Sequence, residues 1–217
     1  MNKSTIDKSI LEKSKIDTSS ELIVNNNSEA VIVCFGGFST QIAGIPYDFL
    51  TFLTTNFANI DKFFYRDTKQ MCYHQGIDNI SKDIETTVSY LKTKLAKYKR
   101  VIFTGTSAGA YAAILYGSLV NVTEVIVFNP ITILYGRRNV YNLKYIDLSQ
   151  NIINNTTKYY LCGDSSITNV NDLHHIKHCK NISSYQNVKI MYKNGIDLKQ
   201  MRNTGELYNM YNSILNR

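Results

Sequence analysis

Tryptophan is absent from the 217 residues, and proline occurs only twice. No Pro-, Gly- or Ser-rich stretch or internal repeat interrupts the chain, so no linker divides it and one domain is expected over residues 21–217. No apolar run approaches the roughly 18 residues that a membrane helix needs, which excludes a membrane span. Residues 1–20 are polar and dotted with lysine, without the apolar centre of a leader. A flexible tail and no secretory signal are expected there. Cysteine is scarce too: Cys34, Cys72, Cys162 and Cys179 show no C-x-x-C pairing. Cys34 and Cys162 fall inside apolar runs, where a free thiol behaves as a small hydrophobe. A reducing, cytoplasmic setting follows. Clustered charge is the last absence. The net charge is +7, yet no block of five or six like charges exists, and Arg137-Arg138 is the single arginine pair. Lys, Asn, Ile and Tyr share AT-rich codons, which accounts for scattered lysines, so no nucleic-acid partner is expected.

What is present is an ordinary globular composition, 44% hydrophobic and 19% charged, in a chain able to bury roughly 70% of its unfolded surface. Short apolar runs alternate with helical patterns. Strands are expected at 30–35, 63–65, 101–104, 125–128, 159–162 and 188–192. Between them, Pro46 opens a helix carrying Leu50, Leu53 and Phe57. Ile77, Ile80, Ile84, Val88, Leu91 and Leu95 mark a longer amphipathic helix. A small-residue helix runs from Ala108 to about Leu119, one is expected around 143–153, and Thr204 caps a last one. Alternation of this kind implies parallel βαβ units and a sheet covered on both faces, a three-layer α/β/α sandwich.

Chemistry concentrates at Gly105-Thr106-Ser107-Ala108-Gly109, directly after the third strand of this alternation and before the small-residue helix. This is G-x-S-x-G in strand–turn–helix context, a nucleophile elbow. A strand turning straight into a helix holds its central residue in strained backbone geometry. Glycines two residues to either side let neighbouring backbone pass closely, and Ser107 is exposed at a helix N-terminus, where developing negative charge is favoured. An oxyanion hole needs two N–H donors. Ala108 supplies one, and Gly37 or Phe38, in the Phe35-Gly36-Gly37-Phe38 loop, supplies the other.

With the glycine loop, Asp67 after the next strand, the elbow and two further strands in this order, the chain from about residue 30 onward resembles the α/β-hydrolase superfamily. Phe35-Gly36-Gly37, Arg66-Asp67, Tyr73-His74-x-Gly76 and the elbow together look like small members with no large lid. The resemblance implies an acyl-enzyme on Ser107, a small acyl or ester substrate, and neither cofactor nor metal. It also implies an acid after the penultimate strand, where Asp164 and Asp172 both qualify, and a histidine after the last. That histidine is missing: Ile196 stands in its slot in Lys193-Asn194-Gly195-Ile196-Asp197.

A serine hydroxyl needs an adjacent base, and four histidines remain: His74, His174, His175 and His178. His74 lies in the loop after the Asp67 strand, at the sheet edge of the elbow, and His175 follows Asp172 closely; both are candidates. His174 and His178 share a helical face at a spacing of four, but without a third ligand they make a poor metal site. Two functions are thus expected in order: a serine hydrolase, or a hydrolase-fold binding protein that lost turnover with its histidine.

Overall fold

The structure, a computed structural model, describes residues 20–38, 47–135, 142–150 and 156–216. Its centre is a seven-stranded sheet made of β1 (Glu21–Val24), β2 (Ala30–Phe35), β3 (Asp61–Tyr65), β4 (Arg100–Thr106), β5 (Glu124–Phe128), β6 (Lys158–Asp164) and β7 (Val188–Lys193). The spatial order is β1-β3-β2-β4-β5-β6-β7. Only β1 runs antiparallel, pairing Glu21 with Tyr65. The other pairs are parallel.

Side chains alternate along each strand, and the alternation sorts them into two cores. Val31, Val33, Phe35, Phe103, Val125 and Val127 face one layer, with α2 (Ile84–Leu95) and α3 (Ala108–Val120). Ile32, Cys34, Ile102, Ile126 and Phe128 face the other, with α1 (Leu50–Asn56), α5 (Leu198–Asn203) and α6 (Glu206–Leu215). The run of apolar residues in each inner strand is the consequence of burial on both faces. The fourth helix, α4 (Lys177–Lys180), packs near the end of β6. All four cysteines are buried and free.

The chain winds from β2 outward to β3, then crosses back over β2 to β4. A parallel sheet opens a crevice at the strand ends where its winding reverses. Here that places the loop after β2 beside the turn after β4.

Several elements depart from the sequence pattern for local reasons. The edge strand β1 adds a seventh strand to the six that the sequence pattern predicts; its four residues carry too little alternation to stand out. Helix α2 begins at Ile84, not Ile77. Asp83 accepts the Thr86 N–H at 2.8 Å while Thr86 Oγ1 takes the Asp83 N–H at 3.2 Å, a capping box that sets the start. Ile77 and Ile80 lie in turns before it, and the Ile77 N–H goes to Ser81 Oγ at 2.9 Å. Over 143–153 the described residues form two short 3-10 turns, Leu143–Tyr145 and Leu148–Gln150, instead of one helix. The last helix is capped by Gly205 at φ 79°, with Thr204 closing α5. Pro46 and residues 1–19 lie outside the described residues. Ser20 is buried, and its carbonyl accepts the Arg66 N–H at 2.9 Å.

Where α3 meets the sheet the fit has no slack. A methyl group on Gly109 would sit 2.0 Å from the Phe35 carbonyl oxygen. Gly109→Ala must push the helix off β2, and overpacking at that severity costs about 3 kcal/mol or more. Urea unfolding should show the midpoint falling with an unchanged m-value.

Candidate active site

Ser107 stands between β4 and α3 at φ 55°, ψ −119°. A non-glycine residue held there costs about 1–3 kcal/mol of backbone strain. Its N–H donates to the Phe128 carbonyl at 3.2 Å, and its own carbonyl accepts from Tyr111 N at 3.1 Å. Gly105 is needed because a methyl there would lie 2.5 Å from the Gly109 backbone. The strain is therefore imposed by packing on every side. The Ala108 N–H opens the helix with no acceptor among the described residues.

The loop after β2 is held from three directions. The Gly36 N–H donates to Tyr65 O at 2.9 Å, and the Tyr73 hydroxyl lies 3.0 Å from both the Gly36 and Tyr65 carbonyls. Tyr73 is fixed in turn by its N–H to Asp67 Oδ2, 3.0 Å. Asp67 also gathers the N–H groups of Met71, Lys69 and Gln70; burial raises its carboxyl pKa while these donors pull the other way. Gln70 Nε2 reaches forward to the Phe38 carbonyl at 3.1 Å. Asp67 thus organises a loop that contacts Gly36 through Tyr73 and Phe38 through Gln70.

Gly37 adjoins the serine: a methyl on it would lie 3.9 Å from Ser107 Cβ. Its N–H, however, donates to the buried carboxylate of Asp48 at 2.9 Å. The Phe38 N–H has no acceptor among the described residues. Of the two alternatives for a second oxyanion donor, the Gly37 amide is engaged and the Phe38 amide is the one without an acceptor among the described residues.

The imidazole at the serine belongs to His174, whose Nε2 lies 2.8 Å from Ser107 Oγ. It reaches there from the loop after β6, not from a helix. Asp172 Oδ1 accepts the His174 N–H at 2.7 Å, an Asx turn that fixes the backbone of the histidine. Neither His74 nor His175 occupies this place. His74 Nδ1 accepts the Asn142 N–H at 2.9 Å and its Nε2 lies 2.7 Å from the Tyr111 hydroxyl, which itself donates to Tyr145 O. That ring is a buried link between α3 and the segment after β5. His175 Nδ1 accepts the Lys177 N–H at 3.1 Å. His178 lies buried against Thr132, on the short α4, so it shares no helical face with His174. Among the described residues no group of three or more His, Cys, Asp or Glu is arranged to hold a metal.

The two acid candidates divide differently. Asp164 is consumed by Ser166 N and Oγ at 2.8 and 2.6 Å, and by the N–H groups of Gly195 and Ile196 at 3.0 and 2.9 Å. Despite burial, these donors hold its carboxyl below the usual range. The loop after β7 that lacks a histidine thus serves as a backbone cradle for Asp164. Asp172 touches the histidine's backbone. No carboxylate among the described residues pairs with the His174 ring. The signal that could have singled out His174 was the Asp172-x-His174 spacing of an Asx turn.

The chain matches no protein-family model and no curated protein. Solved structures do match. The capsule O-acetyltransferase of Neisseria meningitidis serogroup A, in a complex with CoA, is 14% identical with a TM-score of 0.57 over 90% of this chain and 92% of that one. An esterase from Thermogutta terrifontis with propionate bound is 13% identical, TM-score 0.59, over 93% and 92%. An α/β-hydrolase enzyme from the sediment metagenome of the Mar Chica lagoon, Morocco, is 11% identical, TM-score 0.57, over 91% and 95%. The chain has the α/β-hydrolase fold. No helix among the described residues is long and apolar enough to cross a membrane.

Burial lowers His74 and His178 from 6.5 to about 4. Between those values the unfolded chain binds protons that the folded chain does not, so stability is full above pH 6.5 and is lost as pH falls toward 4. Each ring accounts for up to about 3 kcal/mol. Urea unfolding between pH 7.5 and 4.5 should show the loss, and His178→Gln should reduce its slope by about half.

Proposed function

We propose that the protein transfers acyl groups from an ester or thioester through an acyl-enzyme on Ser107, as a hydrolase when water is the acceptor. The observation that carries this reading is the 2.8 Å contact between His174 Nε2 and Ser107 Oγ, at a serine already strained into an elbow. His174 Nε2 takes the hydroxyl proton as Oγ attacks the acyl carbon, and the oxyanion forms against the Ala108 and Phe38 N–H groups. The leaving alcohol or thiol departs with the proton from His174. Water, or a second hydroxyl, then attacks the acyl-enzyme, giving its proton to His174 and returning Ser107 to the start. Asp172 acts on the histidine through the backbone; Asp164 secures the β6 and β7 loops. The Ile196 departure, which favoured a fold without turnover, is met by an imidazole from another loop.

That the similar structures include esterases and an O-acetyltransferase supports the same class of chemistry. The test is turnover of p-nitrophenyl acetate. Ser107→Ala and His174→Ala should each lower kcat by 10³-fold or more, as loss of a nucleophile or its base does. His175→Ala should stay within about threefold. Equal loss from His174→Ala and His175→Ala would overturn the assignment of the base.

A further inference from the structure

Beside the oxyanion loop lies a cavity of about 140 Å³, walled by Phe49, Phe52, Leu198 and Leu207. Its size is close to that of an engineered core cavity of about 150 Å³ that takes benzene, so it admits a chain of about five or six carbons. Two of its other walls tie it to the site. Thr106 immediately precedes the nucleophile, and Asp48 holds the Gly37 N–H.

Apolar walls alone would call for an alkyl chain, but a guanidinium also lines the cavity. The Thr51 hydroxyl is buried without a hydrogen-bond partner. Arg202, at the exposed side, has no carboxylate partner among the described residues, and its guanidinium hydrogen-bonds there only to Asn203 Oδ1, at 3.4 Å. Arg100, by contrast, is paired with Glu124 at 2.8 Å. Asp48 does not supply the missing anion, since its carboxyl group is engaged by the Gly37 N–H.

We propose that this cavity is the subsite for a short substrate chain ending in an anion, its apolar stem lying between Phe52 and Leu207 and its charge meeting Arg202. The inference rests on the acyl-transfer reading and names its substrate class: esters or thioesters that carry a carboxylate a few carbons from the reacting carbonyl. A guanidinium is the group suited to such an end, because it offers a planar fork of donors to a carboxylate.

The experiment compares p-nitrophenyl hemiglutarate with p-nitrophenyl butyrate, which puts the anion on the acyl side, and 4-acetoxybenzoate with phenyl acetate, which puts it on the leaving group. In the wild type, kcat/KM should favour the anionic member of one pair by 10-fold or more, and the favoured pair locates the chain. Arg202→Met should bring that ratio close to one, and Arg202→Lys should keep part of it. Lys92→Met, which removes an exposed charge on α2, should leave the ratio unchanged. A ratio near one for both pairs in the wild type, or one that survives Arg202→Met, overturns the proposal. Calorimetric titration of the Ser107→Ala protein with monomethyl glutarate separates the two readings. Binding that depends on Arg202, with no wild-type turnover, upholds the anion site and defeats acyl transfer. Turnover without such binding or preference does the reverse.

Discussion

The approach of the α3 backbone to the end of β2 is the constraint on which the site depends. At Gly109 the helix comes so near the Phe35 carbonyl that no side-chain carbon fits between them. That contact fixes how abruptly β4 must turn, and the abruptness drives Ser107 to positive φ. The same contact sets the Gly36–Phe38 loop against the turn, so the proposed nucleophile and the proposed oxyanion loop are brought together by one piece of packing. The strain at Ser107 is small beside the burial of α3, whose residues from Ala108 to Ser118 are all enclosed. A helix buried on every side cannot rotate to relieve it.

Around that contact, polar groups act mostly on the backbone. Asp67 fixes Tyr73, Tyr73 fixes Gly36, Asp48 fixes Gly37, and Asp172 fixes His174. Three loops from different strand ends, those after β2, β3 and β6, are thereby held by carboxylates and a phenol. Asp164 does the same between β6 and β7, binding the Gly195 and Ile196 N–H groups. The histidine-less loop after β7 is therefore occupied, and the imidazole enters from the loop one strand earlier.

How much of this was legible in the sequence follows from how local each signal is. The inner strands and the elbow could be read because continuous apolar runs and the G-x-S-x-G spacing express contacts made within a few residues. The start of α2 could not be read from periodicity, since Ile77 and Ile80 keep the helical spacing while Asp83 and Thr86 set the boundary. The choice between Gly37 and Phe38 depended on Asp48, eleven residues away on another turn. His174 was the furthest from view: its partner lies 67 residues earlier, and only the return of β6 to the sheet brings them together. His74 sits in a motif-like stretch yet is spent on Tyr111 and Asn142, an arrangement of long-range contacts that spacing does not encode.

The pairing of Ser107 with His174 is the central claim, and a fluorophosphonate reaction followed by intact-protein mass spectrometry tests it most directly. The account predicts a single adduct on Ser107 whose rate of formation collapses in a folded His174→Ala protein. An adduct forming at the wild-type rate without His174, or none on well-folded wild-type protein, would contradict it.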